Sequence, residues 1–311
     1  LITRGHIIMK DKSRESATSI ATAAYCARAA YIGKILPYGG KKSPNTTSGQ
    51  IEHEYFEKYL EMMKMDSVSK TKLTSLALHE DRKFRVSEFI QNLIIQSHPE
   101  FAELARETLE SLNYRSDIFF TDIITDATAL YADGLRTSEV RELVFPWKIE
   151  HWFENLEYKI VARADLLYKA RDGSLIVTDI KSHHSRIAAL MHREDHHTQM
   201  AVYAILAEAE FNLPVNKCRI FYSQDMSYED FYISNEEKAK TIELRNDLHA
   251  ILDAPIPPLL EGPESFKCKY CYKQDVCADI QKTIEFSPTT YTPPPFDDMP
   301  KTDFSRGLKF D

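Results

Sequence analysis

The chain has 311 residues, 43% of them hydrophobic, enough to bury one large core with an insertion or satellite and too many for a chain disordered throughout. Its net charge of -8 argues against coating nucleic acid by bulk electrostatics and leaves room only for a local basic groove. The best apolar stretch, "FIQNLIIQ" at 89–96, is interrupted by Gln91 and Asn92 and falls well short of the roughly 20 residues that span a bilayer, so no membrane partner is expected.

Residues 1–30 lack a basic segment followed by an apolar one, so an intracellular, cytoplasmic location is the expectation. In a reducing compartment the five cysteines, at 26, 218, 268, 271 and 277, are expected as thiols or metal ligands rather than disulfides. "SRESATSIATAAYCARAAYIGK" (13–34) is alanine-rich, opens on serines that can cap and closes on Gly33, which predicts one helix carrying Cys26. "PYGGKKSPNTTSG" at 37–49 reads as a loop, and 51–64 and 69–112 as mainly helical, with Phe89, Ile90, Leu93 and Ile94 spaced for one face. The stretch 115–145 carries no clear period.

From Trp147 the period changes to apolar and polar alternation, broken at Arg171-Asp172-Gly173, which predicts consecutive strands joined by a tight turn. "HTQMAVYAILAEAEFN" returns to helical spacing, 216–234 gives two further strands, and "NEEKAKTIELRNDLHAILDA" a helix. The tail from Ser287, with "TPPPFDDMP", has little that can pack and is expected extended. Together these predict a mixed α/β (α+β) fold. Its expected divisions are an N-terminal helix and loop over 1–50, a helical region with an insertion over 51–145, a core over 146–255, a cysteine segment over 256–285 and a tail over 286–311.

Asp179 and Lys181 share one face of a strand, and a hairpin through Asp172-Gly173 brings Asp165 close to opposite Asp179. Two carboxylates so close repel, and a divalent cation is the usual resolution. Mg²⁺ or Mn²⁺ there can activate water and stabilise charge on a phosphate, with a lysine on the same face orienting or neutralising. A cross-strand Asp–Lys salt bridge on a solvated sheet is the bland alternative. Gln199 and Tyr203, four apart on one helix face, sit beside this strand end. His79 could add an imidazole ligand, although a lone helical histidine is more often structural, and of the histidines at 183, 184, 192, 196 and 197 most read as loop residues around one useful one. Cys268, Cys271 and Cys277 form C-x2-C-x5-C with Cys26 as the fourth thiolate, and this spacing leaves zinc and an iron-sulfur cluster both open. Cys218 reads as core.

In order, "AAYCARAAYIG", "TSLALHE", "VARADLLY", "VTDIKS", "QMAVY" and "CKYCYKQDVC" resemble the PD-(D/E)XK nucleases of the RecB type, in the iron-sulfur branch with the CRISPR-associated exonucleases, exonuclease V and the AddB nuclease domain. The resemblance implies a restriction-endonuclease-like core with a central mixed sheet flanked by helices. It implies that His79, Asp165, Asp179 and the Ile180 carbonyl bind Mg²⁺ or Mn²⁺, that Lys181 is the catalytic lysine, and that Gln199 and Tyr203 position the site or contact DNA. It also implies that Cys26, Cys268, Cys271 and Cys277 hold a 4Fe-4S cluster. The expected activity is a metal-dependent exonuclease on single-stranded DNA ends in repair, recombination or defence, with helicase or repair and defence proteins as candidate partners. An inert nucleic-acid-binding adaptor and a zinc-stabilised scaffold are the alternatives. The chain departs from the family pattern at Ala162, where glycine is frequent, at Asp179, where glutamate is frequent, and in the 86 residues between His79 and Asp165, which imply a helical insertion over 85–145.

Overall fold

The structure, a computed structural model, describes residues 14–35, 44–68, 80–97, 99–182 and 193–252, with 267–268, 271, 273 and 277–278 from the cysteine segment. A mixed six-stranded sheet lies between two helical layers. Its order is β1 (Glu15–Ser16), β3 (Ile160–Lys169), β4 (Leu175–Lys181), β5 (Val215–Tyr222) and β6 (Ser227–Phe231), and β2 (Lys148–Asn155) pairs with β3 at the other edge. β3 runs antiparallel to β2 and β4, whereas β4 and β5 are parallel and joined through α7 (Arg193–Phe211). This mixed α/β architecture is the one the sequence predicts.

The hairpin between β3 and β4 sets the register on which the site depends. Gly173 holds φ +83, a backbone region that a side chain strains, and Ser174 N–H and Oγ both donate to Asp172 Oδ1. β4 is apolar on both faces because both are covered. Leu175 and Val177 enter a core with Val202, Ala204 and Leu206 of α7, Ile20 of α1 (Ala17–Tyr25) and Leu248 of α8 (Asn235–Leu252). Ile180 enters a second core with Tyr55, Phe56 and Tyr59 of α3 (Pro44–Val68), Ile90 of α4 (Glu80–Ser97) and Phe119 of α5 (Ala102–Ala132). There Phe221 of β5 meets Phe56 edge-on at 5.2 Å, and such aromatic contacts add to what area burial alone gives.

Two expectations are corrected, and one unreadable stretch is resolved. The N-terminal helix is two helices, α1 and α2 (Ala27–Ile35), with Cys26 between them in an extended conformation at φ -163, and Gly33 lies within α2. Its N–H still donates to the Thr22 carbonyl at 2.8 Å and its carbonyl accepts the Ala30 N–H at 3.1 Å, so this extended residue closes α1 and opens α2. The loop expected through 49 gives way at Pro44, because proline at a first helical position costs no hydrogen bond. The unreadable stretch 115–145 is the continuation of α5 and then α6 (Thr137–Val144), whose polar residues face outward from a helix packed on α3 and α6. The described part of the expected insertion is therefore helical. The tail from Ser287 lies outside the described residues.

Candidate active site

The β3–β4 ladder pairs Leu166 with Thr178, and the same register carried one step further sets Asp165 against Asp179. Both carboxylates are buried. Asp165 Oδ2 accepts the Ile180 N–H at 2.6 Å, which ties the first carboxylate across to the second strand. Burial pushes the Asp165 carboxyl well above the usual range, the Asp179 charge adds to that, and His53 and the Ile180 N–H oppose it.

Lys181 Nζ stands 2.7 Å from Asp179 Oδ2 and donates to Gln199 Oε1 at 2.8 Å. Gln199 Nε2 in turn donates to Tyr203 Oη at 2.7 Å. Burial, reinforced by the Asp179 and Asp165 charges, pushes the Tyr203 phenol up, so it stays neutral and able to accept. The expected strand and helix residues therefore meet, with Gln199 and Tyr203 holding the lysine. An i, i+4 pair on α7 can do this because its side chains stack along one face.

A second half of the site, from α3, was missed by the sequence reading. His53 Nδ1 lies 3.6 Å from Asp165 Oδ2. One turn on, burial pushes the Glu57 carboxyl up, helped by the neighbouring carboxylate of Glu150 and by the charge of Asp165. Glu150 sits at φ +50, and the β2–β3 pairing passes from Ile149 to His151 without it. Arg163 Nε answers its carboxylate at 2.5 Å. Behind the lysine, Ser223 donates its N–H to the Lys181 carbonyl at 3.1 Å and its hydroxyl to buried Glu52 at 2.5 Å, while Arg115 of α5 donates to the Ser223 carbonyl at 2.8 Å. The one sequence signal for the α3 half was "HEYFE", in which His53 and Glu57 share a helix face.

His79, His183, His184 and His192 lie outside the described residues. His196 and His197 are helical rather than loop residues: His196 is buried, and His197 stacks on Phe231 at 4.0 Å, occupied in the contact between α7 and β6. Cys218 is fully buried, as expected of a core thiol.

As oxygen donors, Asp165, Asp179 and the Ile180 carbonyl suit a hard divalent cation, whose charge would relieve the buried carboxylate repulsion, and the borderline imidazole of His53 stands beside them. The four remaining cysteines lie within electrostatic reach of one another. Burial pushes the Cys268 thiol up, and Cys26, Cys277 and Cys271 add to that; Cys277 feels burial first and also Cys26 and Cys271. Lys273 donates to the Ala29 carbonyl at 2.6 Å and Tyr25 to the Lys267 carbonyl at 2.8 Å, so the α1–α2 break is bonded to the cysteine segment. Four thiolates are a fitting donor set for a soft metal or cluster. Among the described residues, no group of three or more His, Cys, Asp or Glu is drawn together at metal-holding spacing, at either place. No helix among the described residues is long and apolar enough to cross a membrane.

Comparison with known proteins places the chain. The family described as the PD-(D/E)XK nuclease superfamily matches residues 14–278, which takes in both halves of the site and the cysteine segment. No curated protein matches. A solved structure titled "Crystal structure of SSO0001" is similar at 21% identity, over 55% of this chain and 81% of that one, with a TM-score of 0.29.

Proposed function

The chain belongs to the PD-(D/E)XK nuclease superfamily, and within it we propose a metal-dependent exonuclease of the RecB-type iron-sulfur branch, acting on single-stranded DNA ends. The observation that carries this is Lys181, which touches Asp179 at 2.7 Å while Gln199 holds its ammonium at 2.8 Å, beside a second buried carboxylate. A solvated salt bridge needs no half-buried glutamine backed by a buried tyrosine to aim it.

Asp165, Asp179, the Ile180 carbonyl and His53 would hold Mg²⁺ or Mn²⁺, which supplies charge to bind a phosphate and an activated water. His53 stands in this set on geometry. Lys181, fixed in direction by Gln199 and Tyr203, orients the attacking water and offsets the charge developing on the phosphate. The Ile180 N–H keeps Asp165 pointed at the same place. Holding these groups before substrate arrives is what lowers the barrier.

The cysteine quartet is the ligand set for a 4Fe-4S cluster, supported by the mutual electrostatic reach of the four thiols and by the bonds that tie Tyr25 and Ala29, on either side of Cys26, to Lys267 and Lys273. Its role is structural. Repair, recombination or defence is the setting this activity suits, with helicase or repair and defence proteins as partners.

The test is cleavage of an end-labelled single strand in Mg²⁺ or Mn²⁺ by the wild type, Lys181→Ala and Asp179→Asn. Wild-type cleavage that falls by about 10²–10³-fold in each variant is expected, with unchanged melting behaviour. Cleavage that survives in both would move the chemistry elsewhere.

A further inference from the structure

The chain has two tryptophans, and the structure uses only one of them. Trp147 is partly buried against the α7 core, with its ring 4.8 Å from Phe211. Trp152 is 59% exposed on β2 and, among the described residues, belongs to neither core. Its neighbour Phe153 is buried among the α7 side chains, so by strand alternation Trp152 projects from the opposite face.

On that face Trp152 pairs directly across the ladder with Arg163, whose side chain is 60% exposed. Arg163 also reaches Glu150, whose charge is felt by both Glu57 and Asp165. Asp165 is two residues beyond Arg163 on the same strand, about 7 Å along the sheet. An open indole and a guanidinium thus stand side by side at the edge of the carboxylate cluster.

From these positions, and resting on the nuclease function proposed above, we infer that Trp152, flanked by Arg163, is a stacking platform for an unpaired base of the DNA strand entering the site. The chain's charge of -8 and its carboxylate-rich site oppose a polyanion, so binding by phosphate contacts alone is weak. Stacking supplies affinity that does not depend on charge. A base in a duplex has both faces covered by its neighbours, whereas an unpaired base offers one to an indole. The platform therefore selects single strands, and Arg163 can lie over the same base or hold its phosphate.

The test uses the full chain in EDTA, which keeps the strand intact, and a short oligothymidine as the probe. Wild-type tryptophan fluorescence is expected to quench on binding. Trp152→Ala should raise the Kd about 5- to 100-fold and remove most of the quench, while Trp152→Phe restores most of the affinity. An abasic strand of equal length should bind the wild type about as weakly as oligothymidine binds Trp152→Ala. Melting curves of both variants exclude a folding defect, and Trp152→Phe keeps the outcome decisive if the alanine variant is unstable. Equal affinity of Trp152→Ala and wild type, with wild-type cleavage intact, would refute the platform and leave the proposed nuclease standing. A wild type that neither binds nor cleaves a strand refutes both. A fall in molecular mass in Trp152→Ala with unchanged DNA affinity would instead make this edge a contact between two copies of the chain.

Discussion

Two sets of candidate metal ligands lie in this molecule, and they are held by opposite means. Asp165 and Asp179 sit at neighbouring strand positions, fixed by a ladder, a glycine turn and the bond from the Ile180 N–H. Cys26, Cys268, Cys271 and Cys277 come from a break between helices and from a segment some 240 residues later, joined by a few bonds such as Lys273 to Ala29 and Tyr25 to Lys267. Where the backbone fixes the ligands, the fold pays to bring like charges together and the charge is available for chemistry. Where the chain is far apart in sequence, bringing the ligands together stabilises the fold. Charge removal should therefore hurt function at the carboxylates and stability at the cysteines.

The largest effect expected is at the thiols. With the proposed cluster in place, Cys271→Ser should lose its iron and visible absorption and cost on the order of 5 kcal/mol of stability, against about 10–16 kcal/mol for structural zinc in small zinc-finger peptides. A variant that kept colour and melting temperature would erase the contrast. At the carboxylates, His53→Ala should lower cleavage about 10- to 100-fold and weaken Mg²⁺ or Mn²⁺ activation, with little change in melting. Running His79→Ala beside it decides which histidine serves the site, and a full loss in that variant alone would favour the motif resemblance over the α3 geometry.

The smallest effect sharpens the contrast. Glu57 is pushed up from 4.5 to about 9, first by burial and then by Glu150 and Asp165. A raised pKa contributes stability that is complete below about pH 4.5 and lost as pH climbs toward about 9. Glu57→Gln, measured in EDTA, should match the wild type near pH 4 and melt a few degrees higher near pH 9. Parallel melting curves across that range would show that Glu57 is not held in its neutral form.

The strand half of the site was legible because strands write their geometry into period two: "ARADLLY", a Gly173 turn and "VTDIK" place two carboxylates and a lysine with no further information. Gln199 and Tyr203 were legible for the same kind of reason, four residues on one helix face. The α3 half was not. His53 and Glu57 lie among aromatic residues in a helix whose position depends on Phe56 and Tyr59 packing against Phe119 and Phe221, contacts across some 60 to 165 residues. The Cys26 break was hidden because alanine-rich sequence is helical by propensity, and a tertiary demand on one residue overrides propensity. Glu150 was hidden because positive φ at a glutamate has no sequence signature.

The most direct measurement is digestion by the wild type, in Mg²⁺ or Mn²⁺, of four single strands of one sequence: free at both ends, blocked at the 5′ end, blocked at the 3′ end, and circular. An exonuclease leaves the circle intact and degrades the free strand, and one of the two blocks stops it. Cutting of the circle at the rate of the linear strand, or no cutting of any of the four, would contradict the account.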